Sequence, residues 1–77
     1  MRVTLYSKPG CCLCDDARDL LEEWAGATDV ELDEIDIRRD TALFDMYRYR
    51  IPVIAIDGRE VLEGRIDGHD LAAALNA

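Results

Sequence analysis

The stretch Pro9-Gly10-Cys11-Cys12-Leu13-Cys14 most constrains what this chain can fold into, because two different periodicities meet there. Before it, Arg2-Val3-Thr4-Leu5-Tyr6 alternates polar and apolar, the signature of a strand whose two faces see different surroundings. After it, Leu13, Ala17, Leu20, Leu21 and Trp24 recur at helical spacing. Pro9 and Gly10 mark the turn between the two. A strand therefore delivers the chain straight into a helix, with Cys11 at its mouth and Cys14 one turn on. The first amides of a helix lack intrahelical partners and carry partial positive charge. Both effects favour an anion at Cys11, while Asp15 and Asp16 in the first turn oppose one. Cys14 is then within reach of any mixed disulfide formed on Cys11.

The remaining elements follow in order. The first helix is expected from about Cys12 to Trp24, with Gly26 as a left-handed cap. Val30 to Ile37 reads as a second strand. Val30 and Leu32 share one phase and Ile35 and Ile37 the other, so a slip or bulge near Asp33-Glu34 is expected. Asp40 or Thr41 caps a short helix over Ala42 to Tyr47, with Leu43, Met46 and Tyr47 on one side. Ile51 to Ile56 is a strand whose proline, Pro52, must stand at its start, because proline cannot donate to a ladder. Asp57-Gly58 signals a tight hairpin into Arg59 to Glu63. Gly64 to Gly68 form a loop, and Asp67 with Asp70 caps a last helix bearing Leu71, Ala72 and Leu75. A strand–helix–strand unit with parallel strands is right-handed. The whole order is βαβ, helix, β-hairpin, helix: an α/β chain with a four-stranded mixed sheet and helices on both faces.

Size and charge narrow the function classes. With 77 residues, one domain spanning 1–77 is expected, and 49% hydrophobic residues suffice for its core. Seventeen acidic residues against nine basic ones give a net charge of −8, which argues against nucleic acid and anionic membranes as partners. The acidic run from Asp29 to Asp36 reads as a solvated strand face. Three cysteines within four positions suit a reactive site in a reducing compartment better than a disulfide scaffold. No apolar leader follows Met1-Arg2 and no run is long enough to span a membrane, so the cytoplasm is expected. The chain is also expected to be a monomer.

The dithiol supports two chemistries. One is thiol–disulfide exchange through Cys11 and Cys14, with Lys8 placed to favour a thiolate or to hold a substrate carboxylate. The other is metal carriage: three clustered thiolates suit Cu(I), zinc or an iron–sulfur cluster. Small copper chaperones also carry Cys-x-x-Cys between a first strand and first helix, but their βαββαβ order ends on a strand. This chain ends on a helix, which favours exchange. Dithiol exchange does not explain Cys12, which leaves it as a bystander, a third metal ligand or a regulatory thiol. His69, the sole histidine, reads as a surface residue of the last helix. No nucleotide- or flavin-binding motif is visible, so no tightly bound cofactor is expected and electrons come from outside.

Leu5-Tyr6-Ser7-Lys8-Pro9-Gly10-Cys11-x-x-Cys14 resembles the opening of glutaredoxins and small glutaredoxin-like redoxins, and Arg50-Ile51-Pro52-Val53 resembles their cis-proline segment. Length and element order match over essentially the whole chain. The resemblance implies a minimal thioredoxin fold and a cytoplasmic thiol–disulfide oxidoreductase or electron carrier. Cys11 would be the nucleophile, Cys14 the resolving thiol and Pro52 a cis-proline beside them. Lys8, the Ile51 backbone and Asp67 would touch glutathione or a substrate peptide. Disulfide-containing proteins would be the substrates, and glutathione or a thioredoxin reductase-type flavoprotein the reductant. Three departures stand out. Cys12 replaces a common histidine, Leu13 replaces a usual aromatic, and Glu63-Gly64-Arg65-Ile66-Asp67-Gly68 replaces a double glycine closely followed by an acidic pair.

Overall fold

In a computed structural model, which describes residues 1–76, the chain folds as a four-stranded sheet between two helical layers. The strands are β1 (Arg2–Ser7), β2 (Glu31–Asp36), β3 (Val53–Ile56) and β4 (Arg59–Glu63). The helices are α1 (Cys12–Ala27), α2 (Thr41–Tyr47) and α3 (Gly68–Asn76), with a 3-10 turn at Ile37–Arg39. The sheet order is β2-β1-β3-β4, with β1 parallel to β2 and antiparallel to β3, and β3 antiparallel to β4. This is the expected order of elements.

Each face of the sheet carries its own apolar cluster. Val3, Leu5 and Ile54 meet Ala17 and Leu21 of α1 and Leu71 and Leu75 of α3. On the other face Val53, Ile37 and Tyr47 pack with Tyr6, Leu43 and Phe44, and the Tyr6 and Tyr47 rings stack 4.5 Å apart. β3 lies between two strands and is covered on both faces. Its unbroken run Val53-Ile54-Ala55-Ile56 is the pattern such a position selects. Met46 is 53% exposed, so Phe44 rather than Met46 serves the core from α2.

Two further expectations are corrected. Gly26 is not a left-handed cap, because α1 continues to Ala27. The β-branched Thr28, in extended backbone, ends the helix, and both its N–H and its Oγ1 donate to the Trp24 carbonyl (2.9 and 2.6 Å). β2 has no bulge: its register with β1 runs unbroken from Arg2↔Glu31 to Ser7↔Asp36. The phase change has another cause. Leu32 serves the α1/α3 face, Ile35 is aligned with Tyr6 of the other face, and Ile37 has already left the strand for the 3-10 turn. The irregularity lies in β4, where Ile54 pairs with Leu62 and Ala55 with Glu60, leaving Val61 as the extra residue. At the hairpin, Asp57 (φ 50°) and Gly58 (φ 87°) are both left-handed, as a two-residue turn of this hand requires.

Candidate functional site: a dithiol at the mouth of α1

The site begins where β1 runs out. Gly10 takes a left-handed φ of 80° and turns the chain, so that Cys11, in extended backbone, becomes the N-cap of α1. Serine, threonine, aspartate and asparagine usually hold that post, accepting from an early helical amide. Here sulfur does it: the Cys14 N–H donates to Cys11 Sγ at 3.2 Å. The half-exposed Cys11 thus has a backbone donor aimed at its sulfur.

The neighbours differ sharply. Cys12, the first residue of α1, is exposed. Cys14 is completely buried, and all three cysteines are free thiols. Burial pushes the Cys14 thiol up to about 12, and the hydrogen bond and charge of Cys11 push the same way; the Lys8 backbone amide and the Arg18 guanidinium pull against them. The pair is therefore asymmetric, with one sulfur presented to solvent and one held back as a thiol.

The Ile51–Pro52 bond is cis. Pro52 is buried, and its carbonyl accepts from the Gly64 N–H at 2.9 Å. The β1–β3 register pairs Tyr6 with Val53, so its continuation aligns Ser7 with Pro52 and Lys8 with Ile51. The loop carrying Lys8 and the segment carrying Pro52 thus leave the same end of the sheet side by side. The Ile51 backbone is only partly open to a partner strand. Its N–H donates to the Tyr47 carbonyl at 3.1 Å, as does that of Arg50 at 2.8 Å, because the chain tightens as it leaves α2. The Ile51 carbonyl accepts no hydrogen bond among the described residues.

Asp67 stands apart from this group. It lies with Asp16, Asp19 and Glu23 in one groove beside α1, whereas Lys8 lines another. Its carboxylate accepts the Asp70 N–H at 2.8 Å and Asp70 accepts the Asp67 N–H at 3.4 Å, the reciprocal cap expected for α3. His69 is exposed, as read from the sequence. No three histidine, cysteine, aspartate or glutamate side chains converge on a metal-sized cluster among the described residues.

Sequence reasoning misses the network behind the cysteines. Glu34 is exposed, as the solvated reading of its strand expects, but its carboxylate is not free. Its carboxylate takes a fork of two bonds from Arg18 of α1 (2.7 and 2.6 Å) and one from Ser7 Oγ (2.7 Å). Arg18 also pairs with Asp15 at 2.9 Å. Arg18 holds the Glu34 carboxyl below its usual range, with Ser7 adding to the effect. Two signals could have found it: Arg18 lies four residues after Cys14, and Leu5↔Glu34 pairing puts Glu34 on the face that α1 covers.

A four-stranded mixed sheet, helices on both faces, a Cys-x-x-Cys at the start of α1 and a cis-proline opening β3 define a thioredoxin-fold protein of the glutaredoxin-like kind. The chain belongs to the glutaredoxin-like domain family (DUF836), whose model matches residues 2–76. It is 29% identical over 73 residues to the glutaredoxin-like protein YDR286C homolog of Dictyostelium discoideum, covering 87% of this chain and 68% of that one. Among solved structures it is similar to the structural-genomics target protein XcR50 from X. campestris (TM-score 0.80, 36% identity, 96% of this chain and 95% of that one). It is also similar to a mutant thioredoxin from Halobacterium salinarum NRC-1 (TM-score 0.71, 26% identity, 97% and 71%). A thiol redox role in general goes with this membership. Among the described residues, no helix is long and apolar enough to cross a membrane.

Proposed function

We propose that the protein is a thiol–disulfide oxidoreductase that reduces protein or glutathione mixed disulfides through Cys11 and Cys14. The observation that carries this reading is the asymmetry of the pair: a half-exposed Cys11 sulfur with an amide donor, and a fully buried Cys14 one turn behind it. The Cys11 thiolate attacks the substrate disulfide and one substrate sulfur leaves as a thiolate. The Cys14 sulfur then attacks Cys11, closing the Cys11–Cys14 disulfide, and its proton goes with the second substrate sulfur, which leaves as a thiol. Two electrons pass from the dithiol to the substrate. Glutathione or a thioredoxin reductase-type flavoprotein restores the dithiol.

Lys8 is proposed to hold a substrate carboxylate at the rim, and the Ile51 carbonyl to accept from an extended substrate backbone lying beside Pro52. The Asp67 carboxylate is committed to capping α3, so no substrate contact is proposed for it. No observation favours metal carriage over exchange. The test is nicotinamide-coupled reduction of a small mixed disulfide, with glutathione and its reductase in one arm and thioredoxin reductase in the other. Turnover should appear in at least one arm, vanish in Cys11→Ser and survive on glutathione mixed disulfides in Cys14→Ser. Equal activity of Cys11→Ser and the parent protein would refute the assignment.

A further inference from the structure

The groove beside the dithiol, about 560 Å³ in volume, is lined by Ser7, Lys8, Pro9, Arg18, Glu34 and Asp36 among others. Its floor is a charge pair the redox reading does not use. Arg18 stands one helical turn after Cys14, on the side of α1 that faces β2. Its guanidinium is gripped by Glu34 through two parallel bonds and steadied by Asp15. Glu34 is gripped in turn by Ser7, a buried hydroxyl at the end of β1, one residue before Lys8. A planar fork held at three points cannot swing out to solvent as a free arginine does.

We propose that Arg18, fastened by Glu34, is a positioning residue for the resolving cysteine: its fixed charge favours the Cys14 thiolate as that sulfur attacks the mixed disulfide on Cys11. The proposal rests on the exchange reading above. The need for it arises from burial. Cys14 has no exposed surface, and a buried sulfur resists ionisation unless a cation or donor stands near it. The charged groups around this end of α1 are Lys8 on the loop, Asp15, Asp16 and Arg18 on α1, Glu34 and Asp36 on β2, and Arg39 on the 3-10 turn. Asp36 is paired with Arg38. Arg18 is the cation among them that follows Cys14 by one turn of the same helix, and its charge, the smallest of the influences named for that thiol, points towards the thiolate.

The test has two readouts. In a Cys11→Ala background, the Cβ carbon shift of labelled Cys14 is followed against pH with Arg18 intact, as Arg18→Gln and as Arg18→Lys. Separately, with Cys11 present, a glutathione mixed disulfide is formed on Cys11 and its closure to the Cys11–Cys14 disulfide is timed by quenched alkylation. Arg18→Gln should raise the Cys14 midpoint by about half a pH unit and slow closure about twofold at neutral pH, since higher nucleophilicity offsets part of the lost thiolate. Arg18→Lys should restore most of both. A Cys14 midpoint that stays put in a folded Arg18→Gln variant overturns the proposal, and so does a moved midpoint with unchanged closure. A merely structural ion pair would lower the melting temperature and move neither. Failure of the parent protein to close the disulfide at all would overturn the exchange reading instead, while the titration would still judge the charge at Cys14.

Discussion

The three cysteines should take up an alkylating agent at very different rates, and the difference is computable. Cys14 is held up to about 12 from an ordinary 9.0, chiefly by burial. Three pH units remove about a thousandfold of its thiolate at pH 7.5. The greater nucleophilicity of a more basic thiolate returns about 20-fold, leaving a deficit of about 50-fold. Steric closure adds to this, since Cys14 has no exposed surface whereas Cys12 is open to solvent. Short pulses of iodoacetamide on the reduced protein, followed by digestion and fragment-ion mapping, separate the three sites. Cys11 and Cys12 should be labelled in the early pulses, with Cys14 at least about 50-fold slower than Cys12. In strong urea the three should label alike. Native labelling of Cys14 within severalfold of Cys12 would refute the reasoning that burial sets the pair apart.

Other outcomes follow from the same geometry. Tyr47 is pushed up to about 12 by burial and by its 2.8 Å bond to Glu60, so it stabilises the fold fully below pH 10 and loses that contribution as pH rises towards 12. Tyr47→Phe should cost about 1 kcal/mol at pH 7 and flatten this alkaline limb in urea melts, leaving the part due to Cys14. Gly58 and Gly26 should respond oppositely to alanine, although both have open space where a Cβ would go. Gly58→Ala forces a side chain to φ 87° and should destabilise by about 1 kcal/mol, whereas Gly26→Ala, inside α1, should stabilise by about 0.5–1 kcal/mol. Asp67→Ala should cost about 1 kcal/mol in thermal melts through loss of the α3 cap, and Asp67→Asn should stay within a few tenths of the parent.

The sheet was legible because its signals are local. Alternation in β1, the Asp57-Gly58 turn and the unbroken apolar run of β3 each declare an element from neighbouring residues alone. The dithiol was legible for the same reason, since strand, turn and helix start are contiguous. What could not be read was set at a distance. Whether Glu34 is paired or free depends on its register with Leu5 and on Arg18 coming down from α1, two contacts that no window around Glu34 contains. The Ile51 N–H is taken by Tyr47 through the tightness of one turn, a backbone detail without a side-chain signature. β2 misleads because its apolar residues serve both faces of the sheet, and a pattern divided between two cores imitates a register slip.

The asymmetry of the dithiol also carries an order of events. Two of the influences that hold Cys14 in its protonated form come from Cys11, through its hydrogen bond and its charge. Once Cys11 is locked in a mixed disulfide its thiolate charge is gone and its side chain is no longer the same hydrogen-bonding neighbour for Cys14. Burial then remains, opposed by the Lys8 amide and by Arg18. Cys14 therefore becomes easier to ionise at the stage when its attack is required, and stays inert while Cys11 is free. Cys11→Ala imitates the loss of both influences, so the Cys14 titration in that variant should have its midpoint below the value of about 12 in the parent dithiol. Carbon-13 shifts of labelled Cys14 against pH in the two proteins measure the difference. A midpoint equal to the parent's would mean that burial alone withholds Cys14, and the order of the two steps would then need another cause.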